Sequence, residues 1–167
     1  MMKKEITLIL TVMVVLVLVA CSSLTSAEKA ERQVKRAQAV EQALAARHYR
    51  VSVDMMYPRR GKAKNVSSDY GLEVRGDTLV SYLPYFGRAY NVPYGGGKGL
   101  NFTETFTEYH SRKLSNSATQ VLIKVKNEED VYNFILEIFD NGSASIDMNS
   151  RERESINYSG NIELPDN

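Results

Sequence analysis

The sequence predicts an α+β, mainly β protein, with an N-terminal amphipathic helix followed by about eight antiparallel strands in one curled sheet or small sandwich. Three observations predict it. Helix-forming residues with apolar positions at 3.6 spacing end near Arg47. From Tyr49 the period drops to two, with apolar residues alternating against polar ones. Glycine-bearing turns such as Asn141-Gly142 and Gly76-Asp77 then separate the alternating runs.

The first residues have the order of an export signal. Lys3 and Lys4 form a positive start, Ile6 to Ala20 is apolar apart from Thr7 and Thr11, and Leu18-Val19-Ala20-Cys21 follows. As a helix the apolar run would rise about 22 Å, short of a bilayer core, and it ends in small residues with no basic flank. The tetrapeptide Leu18 to Cys21 resembles the lipobox of bacterial lipoprotein precursors. That resemblance implies cleavage before Cys21, diacylglycerol on its thiol, and a membrane as partner through this lipid. Cys21 is the only cysteine of the chain, so no internal disulfide competes for it. Several acyl chains anchor stably where one does not. Ser22 differs from the acidic residue that retains enterobacterial lipoproteins in the inner membrane, and residues 22–26 lack an acidic surface-export run. The expected location is therefore the outer membrane, facing the periplasm, with surface exposure as the alternative.

The expected organisation is a signal peptide over 1–20, an anchor and tether over 21–26, a helix belonging to the domain over 27–47 and a single antiparallel β domain over 48–167. For the helix, Thr25-x-x-Glu28 fits a capping box, and Val34, Ala37, Val40, Ala43 and Leu44 make a narrow alanine-rich stripe. Strands are centred near Tyr49, Leu72, Leu79, Phe102, Ile123, Leu136, Ile146 and Tyr158. Tyr132, Phe134, Leu136 and Ile138 form one apolar face, with Val131, Ile135 and Phe139 on the other, which predicts a central strand. The strands are expected to carry their own core without the helix.

Charge narrows the function. Lys and Arg total 21 and Asp and Glu total 20; loss of Lys3, Lys4 and Glu5 with the signal leaves a balanced chain. No global basic field gathers phosphates, so no nucleic-acid partner is expected. Gly95-Gly96-Gly97-Lys98-Gly99 is not a phosphate loop, because position 92 is Val and position 99 is Gly. His48 and His110 are the only histidines and have no ligand-type neighbours at coordinating spacing, so neither a metal nor another cofactor is expected. No serine sits in a Gly-x-Ser-x-Gly elbow. Glu104 and Glu108 would lie roughly 13 Å apart along a strand, and Glu152 and Glu154 alternate with arginines, so neither pair predicts glycosidase chemistry. No catalytic residue is assigned.

The most unusual stretch runs from Tyr82 to Gly99, with Tyr82, Tyr85, Tyr90 and Tyr94 among the ten tyrosines, and with Pro84, Arg88 and Pro93. With its Pro-Tyr-Gly-Gly segment, and the late element Arg153-Glu154-Ser155-Ile156-Asn157-Tyr158-Ser159-Gly160, it resembles an exported Bacteroides-type lipoprotein family known as domain of unknown function 4251. The resemblance covers most of the chain after about residue 45. It implies export and one compact domain and carries no activity.

Two roles fit the loop. Tyr82, Tyr85, Arg88, Tyr90 and Tyr94 form a candidate binding platform for a peptide or glycan, since tyrosine offers a rigid apolar face with a polar tip. Alternatively Tyr85, Phe86 and Tyr90 plug the open end of the sheet, with Phe86 the clearest plug and Tyr94 the residue most expected to be exposed. Asp77-Thr78-Leu79 resembles the Asp-Ser/Thr-apolar site of O-glycosylation in Bacteroides-type bacteria, which makes Thr78 a candidate acceptor. The function expected is a lipid-anchored, non-catalytic binding or accessory module of the envelope, with an envelope protein, peptide or glycan as partner. A hydrolase-type enzyme with noncontiguous residues and a structural envelope protein remain open.

Overall fold

The computed structural model describes residues 26–67, 69–91, 99–114 and 117–164. The signal segment, Cys21, the Thr25 cap and Tyr94 lie outside them. Residues 26–45 form helix α1. The chain divides into two units, 1–35 and 36–167. In the first, the described turns of α1 are exposed and carry the ion pairs Glu28–Arg32 and Glu31–Lys35 at four-residue spacing. Val34 of the expected stripe is 57% exposed.

The second unit is a closed antiparallel barrel. Strands β1 (His48–Pro58), β3 (Gly71–Arg75), β4 (Thr78–Leu83), β5 (Leu100–Lys113), β6 (Ala118–Lys126), β7 (Val131–Phe139), β8 (Ser143–Ser150) and β9 (Ile156–Glu163) pair in chain order. β1 then pairs with β9 from Arg50↔Glu163 to Pro58↔Ile156, which joins the two ends of the meander. A two-residue strand, β2 (Lys64–Asn65), adds to β1 beyond the β3 pairing.

This overturns the curled sheet or sandwich. All eight expected strand centres lie in strands, but closure leaves no central strand: β7, like every barrel strand, has one barrel strand on each side. Its Tyr132, Phe134, Leu136 and Ile138 face inward and are fully buried, while Val131, Ile135 and Phe139 are half-buried on the outside. Closure also joins the two outer edges, on β1 and β9, that an open sheet of this size would have to protect.

The interior is filled by side chains. Val51, Leu72, Leu79, Val121, Phe134, Ile146 and Met148 are among the residues of one core cluster, as expected for an eight-stranded barrel of this bore. Val40, Ala43 and Leu44 of α1 are buried in the same cluster, so the strands do not carry the core alone.

The helix ends in Arg47, held at φ 50, a left-handed conformation that costs a side-chain-bearing residue about 1 kcal/mol or more. Its carbonyl accepts the Gly76 N–H, and the Arg36 guanidinium lies against Gly142. Residues 36–47 therefore sit at the barrel end that carries the β3–β4 and β7–β8 turns. The β3–β4 turn is the expected two-residue Gly76-Asp77 connection, with Gly76 at φ 62. The β7–β8 turn differs: only Gly142 has positive φ, and Asn141 Oδ1 accepts the Ser143 N–H, giving a three-residue loop.

Two glycines flank β1 where strand backbones approach most closely. A Cβ on Gly71 would meet the Val51 carbonyl oxygen, and one on Gly160 the Ser52 carbonyl oxygen, where the β1–β9 register shifts between Val53 and Met55. Gly160 is thus part of the closing seam.

Candidate functional site

The end of the barrel opposite residues 36–47 carries the described connecting residues 59–67, 69–70, 84–91, 99, 127–130 and 151–155. Two carboxylates organise it, each for a local reason. Asn127 accepts the Glu129 and Asp130 N–H groups in a side-chain turn, which aims Asp130 inward. Asp130, 7% exposed, accepts the N–H groups of Val131, Arg151 and Glu152 and so joins the β6–β7 turn to the β8–β9 turn.

Glu154, 5% exposed, accepts the Arg88 N–H at 3.2 Å and pairs with Arg60 at 3.4 Å. Between the two carboxylates, buried Arg153 donates to Glu129 at 2.9 Å and lies over the Tyr85 ring. Its Nε–H has no hydrogen-bond partner among the described residues.

The tyrosine loop is clasped onto this frame. Glu154 N–H donates to the Arg88 carbonyl and Tyr90 N–H to the Glu152 carbonyl, with Ala89 bridged to Arg153. Tyr85 Oη–H is within donating distance of the Arg88 and Glu154 carbonyls, and Tyr158 Oη–H donates to the Pro84 carbonyl at 2.8 Å. Burial, reinforced by the Glu154 carboxylate, pushes the Tyr85 phenol up, and burial also raises Tyr132 and Tyr158. All three phenols therefore stay protonated donors at neutral pH.

The remaining aromatics point outward. Tyr82 is 46% exposed and stacks on Tyr70 at 4.9 Å. Phe86 is 49% exposed and lies under the Lys64 ammonium at 3.6 Å; Tyr90 is 65% exposed. Tyr57, on the outer face of β1, pairs its hydroxyl with Ser159.

The loop is therefore neither all plug nor all platform. Tyr85 docks inward, whereas Phe86, expected as the plug, faces solvent because β2 brings Lys64 over its ring. Arg88 contributes its backbone to the frame, and its side chain is exposed. Asp130 and Tyr70 were missed by sequence reading, and Arg153 stood out only as the start of the late family-like element. Buried acidic and basic residues look like surface charges until their partners are known.

The other candidates separate. Glu104 lies on the inner side of β5, while Glu108, beyond a bulge, pairs outward with Lys124 at 2.8 Å. Glu154 has one carboxylate oxygen on the Arg88 N–H and the other on Arg60. Thr78 starts β4, half-buried, with its hydroxyl donating to Asp77 at 3.0 Å. His48 and His110 are exposed, and among the described residues no cluster could hold a metal ion.

This geometry yields a small-effect prediction. Phe86→Ala is expected to lower stability by at most about 1 kcal/mol, the scale of an exposed cation–π contact. Tyr85→Ala is expected to cost about 2–3 kcal/mol, through lost packing and loss of the one phenol donor that serves the Arg88 and Glu154 carbonyls. Denaturant midpoints at constant slope read both, and a Phe86→Ala cost equal to that of Tyr85→Ala would contradict the exposed placement.

Among known proteins, no curated relative matches. The chain is similar in structure to a crystal structure of a DUF4251 family protein from Bacteroides eggerthii, with a TM-score of 0.58 at 15% identity, over 77% of this chain and 87% of that one. At that identity the likeness speaks for the fold alone. The sequence profile of the domain of unknown function DUF4251 matches residues 31–162, most of the chain and all of β1 to β8, and on that extent this protein belongs to the DUF4251 family.

Proposed function

We propose that this protein is a lipid-anchored component of the cell envelope, an outer-membrane lipoprotein facing the periplasm, whose barrel is a rigid, non-catalytic scaffold that presents an aromatic surface to a peptide or glycan. The observation that carries the binding role is the split of aromatic residues at one barrel end. Tyr85, Tyr132 and Tyr158 are drawn inward as hydrogen-bonded struts, while Tyr57, Tyr82, Phe86 and Tyr90 are left exposed.

Single exposed apolar residues are ordinary, but several aromatics on a braced frame expose adaptable stacking faces at low entropic cost. The filled interior favours this outer surface over an enclosed ligand chamber. Lys64 over Phe86 and the exposed Arg88 add cationic groups for a polar ligand's edge.

Anchoring rests on the signal-type sequence of residues 1–20 and on Cys21, the one cysteine of the sequence. Cys21→Ala is expected to abolish fatty-acid labelling and to leave the chain unlipidated, either uncleaved or released; persistent labelling would end that reading. The surface role is tested by capture from the native envelope with the intact protein and with the Tyr82→Ala/Phe86→Ala/Tyr90→Ala triple variant. Mass spectrometry is expected to find a peptide or glycan retained by the parent and lost by the variant, and equal retention would reject the platform. The same preparation tests Thr78: a mass exceeding the lipidated chain, and absent from Thr78→Ala, is expected if this turn is a glycan acceptor.

A further inference from the structure

Among the described residues, the barrel wall has a gap. β5 pairs with β4 from Leu100↔Leu83 to Thr105↔Thr78, but its pairing with β6 begins only at Phe106↔Val125. Phe106 N–H donates toward β4, to the Asp77 carbonyl. By strand alternation, the N–H and C=O groups of Asn101 and Thr103 point the other way, to the edge where β6 no longer runs alongside.

Across that edge lies the β6–β7 connection, locked by the Asn127 side-chain turn. The space between is a cleft of about 720 Å³ lined by residues 101–104 and 126–129. Its floor is the half-buried Phe102 ring, stacked on Tyr132 at 4.8 Å. Glu104, on the same inner side as Phe102, enters the cleft with no ion pair among the described residues, and Glu128 stands on the far lip.

A closed barrel normally satisfies every strand edge, and an unpaired edge is a template for a further strand. We propose that this gap is a second binding site, distinct from the outer aromatic surface, that takes a short extended peptide with basic side chains. The peptide main chain pairs with Asn101 and Thr103 as an added strand segment. A basic side chain enters between Phe102 and Glu104, where an aromatic face and a carboxylate both favour a cation. Charge complementarity selects the occupant: Glu104, Glu128 and Glu129 outweigh Lys126 along the lining, and Glu129 is already engaged by Arg153. Glutamate-bearing segments are repelled by the same groups.

The test is titration calorimetry on the full chain in detergent with the capped peptide Thr-Lys-Thr-Lys-Val. The expected result is saturable binding that weakens at least about tenfold when alternate amides of the peptide are N-methylated, and that vanishes when glutamate replaces lysine. Glu104→Gln is expected to weaken binding about fivefold or more, and Thr103→Pro, which removes an edge donor while sparing the β4 side, to do the same. Circular dichroism shows whether each variant is folded, and Glu104→Gln stands alone if Thr103→Pro is not. No binding to the parent protein, or equal binding by the N-methylated or glutamate peptides, would overturn the proposal. Unchanged binding by a folded Glu104→Gln would overturn it too. The Tyr82/Phe86/Tyr90 variant is expected to bind this peptide normally, so the two sites fail or stand separately.

Discussion

Gly160→Ala is expected to be the most damaging single methyl addition in this protein, costing about 3 kcal/mol or more, at or beyond the upper end for overpacking. A Cβ there would collide with the Ser52 carbonyl, with Val53 Cα at 3.0 Å behind it. These are backbone atoms and cannot rotate aside. Relief requires β1 and β9 to separate, and that pair is what closes the barrel. Asn161→Ala, the next residue and exposed, is the control and is expected to cost under about 0.5 kcal/mol. Urea unfolding at constant slope decides it. A Gly160→Ala protein as stable as its parent would show that the seam has slack.

Asp130→Ala is expected to cost about 2–4 kcal/mol, since one buried carboxylate serves three backbone donors and each orphaned donor costs roughly 1 kcal/mol or more. The effect has a local signature. Amide exchange is expected to accelerate at Val131, Arg151 and Glu152 before the rest of the barrel, because the β6–β7 and β8–β9 turns come apart first. Asp130→Asn keeps one acceptor oxygen and is expected to recover part of the loss. Uniform acceleration across all strands would mean that Asp130 acts on global stability and not as a clamp between turns. Loosening these turns also frees the Arg151–Glu154 segment to which Tyr90 and Arg88 are bound, so the aromatic surface is expected to lose order with it.

The candidate site was legible in part. Tyr82, Tyr85, Arg88 and Tyr90 stand out because tyrosine, proline and glycine crowd one stretch, and they do lie together at one barrel end. Which ring turns inward was not legible. Tyr85 and Phe86 are neighbours of similar size, and their opposite fates follow from Glu154 and Lys64, which are distant in sequence. The burial of Asp130, Arg153 and Glu154 was hidden for a different reason. A charge is buried only when its partners are in place, and these partners are backbone donors and side chains contributed by other loops.

The sequence by itself determined where the strands and α1 lie, because side-chain period is a local property: each alternating run states which residues share a face without reference to any other run. It likewise determined the tight Gly76-Asp77 turn, where glycine alone takes the needed φ without cost. Only the tertiary structure decided that the sheet closes. The pairing of Arg50 with Glu163 joins residues more than a hundred positions apart, and an inward-facing residue alternates identically in an open sheet, a sandwich and a barrel. The same closure decided that β5 leaves β6 early and opens the wall, since a long strand crossing a barrel at a tilt cannot keep both neighbours along its whole length.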